Sequence, residues 1–282
     1  MIIPKQVAKE PHEFKKYGEF TYGVHSPSVE ALVPVNEATI LGQEATLKIL
    51  NELDSAVMGS VRSLNNQYEL FRQGIAYGLP YRISTDGCVE FAVYQRTKKA
   101  GDQRLSSCLS LAPGGHIEKE DISYYLEADE FYGETSVIDW AHTVEANLRR
   151  EFLEEITFYL ISFDRGDITK EVTQKAFPIG FVMDKGEPGY VGNVHVGVIC
   201  LVPVVEPNTT FDMSNEVNNK EMGWFTVKEL IAQHTNKDAP IKSDDGELVG
   251  FEPWSGLIIN RIDQPPSNRM TVNSLGSNLG QV

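Results

Sequence analysis

The most regular alternation of apolar and polar positions lies in the middle of the chain. Val137, Ala141, Val144, Leu148 and Phe152 recur at steps of three and four, which draws one apolar stripe along a helix. The stripe predicts a helix from about Ser136 to Ile156, with Ser136 and Asp139 resembling a capping box at its start. Upstream, Leu47, Ile49, Leu50 and Leu53, then Val57, Val61 and Leu64, keep the helical period and predict helices over 45–53 and 56–72. Leu32 to Val35 reads as a short strand. Tyr81 to Ile83, an Asp-Gly turn and Cys88 to Arg96 predict a β-hairpin. Further on, 171–184, 191–203 and 223–225 read as strands, 227–234 as a short helix and 251–262 as a final helix. Residues 1 to about 30 carry no sustained period and read as an extended lead-in, and the Pro, Ser, Asn and Gly of 263–282 predict a disordered tail.

Composition narrows what such a chain can do. With 282 residues, 41% of them hydrophobic, it can bury an ordinary core in one large domain or two small ones. Forty acidic against twenty-five basic side chains give a formal charge of −15, which argues against a membrane partner or an extended nucleic-acid interface. A polyanion must then be met locally, by metal or by a few placed cations. Cys88, Cys108 and Cys200 are widely spaced, with no Cys-x-x-Cys pair, so neither a disulfide framework nor a closed zinc site is expected. The first residues carry charge too early for a signal peptide and no stretch approaches the length of a membrane span; a cytoplasmic location is the expectation.

The chemistry concentrates in Arg150-Glu151-Phe152-Leu153-Glu154-Glu155. At about 100° per residue, Glu151, Glu154 and Glu155 share an arc of roughly 100° on one helix face. Carboxylates repel one another, and these stand at the end of the helix that disfavours anions. A solvated acidic face is the commoner origin of such a cluster, whereas hard oxygen ligands of this kind also suit Mg²⁺, with Mn²⁺ as substitute. Arg96, Lys98, Lys99 and Arg104 form the nearest basic cluster and are candidate phosphate contacts. His116 could touch phosphate or cap a strand end, and His195 reads as a core or cleft-wall histidine.

With Gly114-Gly115-His116-Ile117-Glu118 upstream of it, the acidic run resembles the Nudix family. The family's box runs Gly, five residues, Glu, seven residues, Arg-Glu, hydrophobic, any, Glu-Glu, any, Gly, hydrophobic. The downstream half matches except that Thr157 stands where the family has Gly, the residue that lets a chain leave a helix in a left-handed conformation. The box is also split: thirty-four residues separate Gly115 from Arg150, against thirteen in the family. Its first Glu therefore has three candidates, Asp121 by counting from the glycine, His142 by counting from the arginine, and Glu134 by local flavour. Glu118 and Glu120 are accessory carboxylates at most. Leu79-Pro80-Tyr81, the Gly192 to Gly197 segment, Trp224-Phe225 and Glu252-Pro253-Trp254-Ser255 resemble the long-form Nudix proteins described only as predicted phosphoesterases.

The resemblance implies an α/β fold, the Nudix α/β/α sandwich with a mixed sheet, over 80–262, interrupted by an insertion at about 119–138. Residues 1–79 would be an N-terminal extension containing helices. By the same resemblance Glu151, Glu154 and Glu155, with a backbone carbonyl at Gly114 or Gly115, would hold Mg²⁺. Arg150 would orient a carboxylate, and Glu216, or Glu221 in its place, would be the general base. The implied reaction is metal-dependent cleavage of a phosphoanhydride bond in a nucleoside diphosphate-linked small molecule by water attack at phosphorus. The alternative is a non-catalytic nucleotide-binding Nudix domain. A homodimer is compatible with the sequence, which points to no other protein partner.

Overall fold

The computed structural model describes residues 3–4, 20–61, 70–96, 105, 107–129, 133–160, 167–185, 191–213, 219–235, 241–242 and 248–263. In chain order β1 (Ile3–Pro4), β2 (Phe20–His25), α1 (Ser26–Glu30), β3 (Glu37–Ile40), α2 (Gln43–Leu53) and β4 (Val57–Val61) come first. Four strands follow: β5 (Phe71–Ile83), β6 (Val89–Gln95), β7 (Leu109–Ser110) and β8 (Gly114–His116). A two-stranded ribbon, β9 (Tyr124–Asp129) and β10 (Gly133–Ile138), leads into α3 (Trp140–Glu155), β11 (Ile156–Leu160) and α4 (Thr169–Thr173). The chain continues through β12 (Phe177–Met183), β13 (His195–Pro203), β14 (Thr209–Met213), β15 (Lys220–Thr226), α5 (Val227–His234) and α6 (Pro253–Asp263).

β5 is the axis of an eleven-stranded sheet. One of its edges runs parallel to β13 from Gln73 opposite His195 to Tyr81 opposite Pro203. The other edge takes three antiparallel partners in succession: β2 at Phe71 to Gln73, β8 at Ile75 to Tyr77 and β6 at Tyr81 to Ile83. β12 and β3 extend the sheet beyond β13, β4 and β1 extend it beyond β2, and β15 and β7 pair with β6. A parallel pair among antiparallel ladders makes the sheet mixed.

Period-two alternation sends successive side chains of β5 and β13 to opposite faces. Ala76, Val196, Val198, Cys200 and Val202 pack with Leu148 and Phe152 of α3 and Leu50 and Leu53 of α2. Tyr77, Leu79, Ile199 and Leu201 pack with Leu230 of α5 and Ile258 and Ile259 of α6. Helices cover both faces, so the architecture is an α/β/α sandwich. At Gly78 a Cβ would lie 2.7 Å from a ring carbon of Phe152 and 2.8 Å from Leu148, so α3 rests directly on the β5 backbone. Among the described residues no helix is long and apolar enough to cross a membrane.

Several sequence expectations change. The boundary expected after residue 79 falls inside β5, and β2, β3 and β4 from before it hydrogen-bond into the same sheet. The lead-in contains β2 and α1, whose pattern is too short to show a period. Val57 to Val61, expected as helix, is β4, paired from Phe20 opposite Val61 to Val24 opposite Val57; its two valines favour a strand once a partner is present while its glycine weakens a helix, and 62–69 lie outside the described residues. Leu32 to Val35 is a turn, with the strand displaced to β3. Thr169–Thr173 is helical, so the strand expected from 171 starts at Phe177, and Val191–Val194 is a 3₁₀ turn ahead of β13. Of the expected tail only Asp263 is described, as the last residue of α6.

The contact at Gly78 supplies a test of the layer packing. Gly78→Ala should lower the unfolding free energy by about 1–3 kcal/mol, the usual cost of forcing a methyl into a filled core. A urea midpoint equal to that of the parent would mean that α3 does not lie against the β5 backbone.

Candidate functional site

The site is assembled where the C-terminal half of α3 meets β8. α3 starts four residues later than its stripe suggested, because Asp139 is the N-cap, accepting from the backbone N–H of His142 at 3.1 Å. Ser136 lies instead in β10, paired with Leu126. The helix ends at Glu155, and Ile156 is already extended at φ −142° and ψ 144°. Helix passes straight into β11, with Thr157 opposite Asp212 of β14. A left-handed glycine is not needed at Thr157, which disposes of the first departure from the family pattern.

The split is a surface ribbon with a closed neck. The amide of Asp139 donates to the carbonyl of Ser123 at 2.9 Å, and the amide of Ser123 donates to the Thr143 hydroxyl at 3.0 Å. β9 and β10 leave and return at one point, with Tyr124 and Tyr125 exposed. Phe131 and Tyr132 lie outside the described residues. The chain therefore reaches α3 with Gly115 and Arg150 in register despite the extra length.

Of the three candidates for the first Glu, Asp121 is the one that Arg150 contacts. Its Nε donates to Asp121 Oδ1 at 3.2 Å and its Nη2 to Asp121 Oδ2 at 3.0 Å, a two-point grip on a buried carboxylate. Nη2 also donates to the His116 carbonyl at 3.0 Å. Asn147, one turn earlier on α3, donates to the same carbonyl and to Asp121 Oδ2, both at 2.8 Å. Asp121 closes the 3₁₀ turn Lys119–Asp121 by accepting from the Glu118 amide at 2.9 Å. His142 instead pairs with Asp139 at an exposed position, and Glu134 belongs to the ribbon. Glu118 stands 3.8 Å from Arg150. The residue reached by counting from the glycine is thus the one brought to Arg150. A polar Asn147 in the buried stripe of α3 was a visible signal of this clamp.

The clamp presses β8 onto the carboxylates. A Cβ on Gly115 would lie 2.0 Å from the Glu151 carboxyl group, so only glycine allows this approach. Glu151 is buried and its Oε1 accepts from Arg150 Nη1 at 2.6 Å. Burial pushes its pKa up, with Glu154 adding to the rise and Arg150 opposing it. Burial pushes the Glu155 carboxyl up to about 7, moderated by Arg96 and reinforced by Glu151 and Glu154. Glu154 is exposed, 4.0 Å from Arg150. The Glu151, Glu154 and Glu155 carboxyl groups and a glycine carbonyl are oxygen donors of the hardness that Mg²⁺ and Mn²⁺ take, and a divalent cation would relieve the repulsion among the carboxylates. Among the described residues, no three Asp, Glu, His or Cys side chains already converge as a closed metal cage; Arg150 engages Glu151 instead.

The remaining candidates divide. Arg96 follows β6 and lies within electrostatic range of Glu155, so it belongs to this region. Lys98, Lys99, Arg104 and Glu216 lie outside the described residues. Glu221 is on β15 opposite Tyr94, with its carboxyl pushed up by burial and by Asp212. His195 is buried, its Nε2 3.0 Å from that of His116. Sequence reasoning did not assign Asn147 a role, nor the Tyr77–Ser110–Glu252–Ser255 network described below.

No family model matches the chain. Protein YmaB of Bacillus subtilis (strain 168) is 24% identical over 216 residues, spanning 77% of this chain and 83% of YmaB. The crystal structure of Tm1382, provisionally described as a Nudix hydrolase, superposes with a TM-score of 0.50 at 13% identity, covering 86% of this chain and 98% of that one. The protein has a Nudix-like fold.

Two measurements check the geometry. Asp121→Asn removes the carboxylate that Arg150 grips and should cost about 2–4 kcal/mol of stability, while His142→Ala should leave stability nearly unchanged; equal losses would undo the assignment of Asp121. The native state binds the Glu155 proton more tightly than the unfolded chain, so this group's stabilising contribution is fully present below pH 4.5 and is lost as pH rises through about 7. In chelator, Glu155→Gln should therefore melt above the parent at about pH 8, with the gap closing toward pH 4.5. A gap independent of pH would contradict a raised Glu155.

Proposed function

We propose that this protein is a Nudix-type hydrolase that uses Mg²⁺, or Mn²⁺ in its place, to cleave a phosphoanhydride bond in a nucleoside diphosphate-linked small molecule. The observation that carries the reading is the complete Glu151, Glu154, Glu155 run on one helix, with Glu151 against Gly115, within a Nudix-like fold. Fold alone would not support an activity; the intact carboxylate face does. Operation in the cytoplasm, as monomer or homodimer, and 80–262 as the catalytic unit with 1–79 completing its sheet, belong to the same proposal.

Glu151, Glu154, Glu155 and the Gly115 carbonyl would hold the metal. Bound there, it would supply charge neutralisation at phosphate and a lowered pKa for an attacking water. Arg150 orients: it fixes Asp121 and the His116 carbonyl and lends one N–H to Glu151. A guanidinium so committed keeps the face in register and is not free to bind phosphate. Arg96, with Lys98 and Arg104, takes the phosphate contacts. Glu216, or Glu221 whose raised carboxyl suits proton transfer, accepts the proton from water.

A second reading, a nucleotide-binding domain without turnover, draws on Arg150 engaging Glu151. The two separate in one assay. A Mg²⁺-dependent hydrolysis screen over nucleoside triphosphates, dinucleoside polyphosphates, nucleotide sugars, ADP-ribose, dinucleotide cofactors and capped RNA, with product masses, should give a monophosphate and a second phosphorylated product. Glu154→Gln and Glu155→Gln should each lose at least about a hundredfold in turnover, the scale of deleting one principal electrostatic contribution, while remaining folded. Full turnover in both variants would exclude the metal-face assignment, and binding without turnover in the parent would favour the second reading.

A further inference from the structure

Across the sheet from α3 lies a buried carboxylate that the proposed reaction does not use. Glu252, just ahead of α6, is 5% exposed. Its Oε1 accepts from the hydroxyls of Ser110 at 2.5 Å and Ser255 at 3.2 Å, and also from that of Tyr77. Three hydroxyls thus converge on one carboxyl oxygen. Backbone ladders hold it there: the Glu252 amide donates to the Leu109 carbonyl at 2.9 Å, and the Leu111 amide to Ser255 Oγ at 3.0 Å. Leu109 and Ser110 are in turn the partners of Gln95 and Tyr94 on β6.

The next residue on that strand is Arg96. Its Nε is buried with no hydrogen-bond partner among the described residues. Its guanidinium interacts electrostatically with both Glu252 and Glu155. Burial pushes that group toward losing its proton, and the surrounding Tyr94, Glu252, Glu155 and Tyr77 more than offset the push. A bare positive charge beside Glu155 would repel a cation bound there, so the guanidinium needs a fixed counter-charge nearby. Tyr77, Ser110 and Ser255 hold one in place at Glu252.

We propose that Glu252 is a positioning residue for the metal face: anchored by Tyr77, Ser110 and Ser255, it balances Arg96, so that a guanidinium can stand beside Glu155 without expelling the cation. The inference rests on the metal-dependent reading above. It assigns Arg96 a compensated charge, retained beside the carboxylates for a phosphate oxygen of the substrate.

Mn²⁺ titrations followed by electron paramagnetic resonance, with melting curves, test it on the full chain without substrate. Glu252→Gln removes a negative charge and should weaken Mn²⁺ binding about tenfold, while Arg96→Gln removes a positive one and should tighten it by a similar factor; a divalent ion feels a nearby unit change of charge on that scale through a partly screened interior. The double variant should return near the parent. Loss of packing would weaken binding in both single variants, so the opposite signs are the signature of charge balance. If both variants weaken binding, or neither changes it, the proposal is overturned. Should Glu252→Gln fail to fold, Glu252→Asp, which keeps the charge but shortens its reach to the three hydroxyls, should weaken Mn²⁺ binding in the parent and much less in the Arg96→Gln background; an equal loss in both overturns the proposal. A parent that binds no Mn²⁺ would overturn the metal-dependent reading itself, a result distinct from a parent that binds and variants that do not differ from it.

Discussion

Everything at the candidate site depends on one contact, the grip of Arg150 on Asp121 and on the carbonyl of His116. It joins the last turns of α3 to the 3₁₀ turn after β8, and Asn147 repeats the connection one turn earlier. A buried carboxylate is costly unless it is paired and hydrogen-bonded. Asp121 is satisfied by Arg150, Asn147 and the Glu118 amide together. With that corner closed, Gly115 lies against the Glu151 carboxyl, and the acidic face becomes part of a site.

A second constraint supports the first from below. β5 carries β13 along one edge and β2, β8 and β6 in sequence along the other, so the glycine strand is anchored to the longest ladder in the sheet. The N-terminal elements are fastened to the same axis. Arg72, buried on β5, donates to Glu30 of α1 and to the carbonyls of Gly192 and His195. Residues before 80 thus share strands, core and a buried guanidinium with the remainder of the molecule. That is stronger coupling than helices merely resting on a finished domain.

Electrostatics give the site its character. Burial, reinforced by repulsion among Glu151, Glu154 and Glu155, raises the proton affinity of Glu151 and Glu155, and under the proposed function a divalent cation would relieve that repulsion. Under the proposed function, a chain of net charge −15 would meet an anionic substrate at a few enclosed guanidinium groups and not over its surface.

Elements whose information is local were legible in the sequence. The α3 stripe, the β5–β6 hairpin with its Asp-Gly turn, α5 and α6, and the Arg-Glu-x-x-Glu-Glu run each declare themselves within one or two turns, because periodicity and turn chemistry act over that range. What involves distant partners was not. Val57 to Val61 kept a helical spacing yet became strand, since pairing with β2 outweighs a weak local preference. Thr157 looked like a defect in a helix exit until β14 supplied a strand for β11 to join directly. Asp121, His142 and Glu134 all stood open in the sequence as the first Glu, and only the closed neck of the ribbon, which brings Ser123 to Asp139, placed Asp121 under Arg150. Glu252 stands about a hundred residues from α3 in sequence and carries no local mark of its role. The sequence by itself determined the residue types and their spacing on one helix face. Which of those residues meet was decided by the tertiary structure, because contact between segments far apart in the chain depends on sheet register and packing, which no short window of sequence contains.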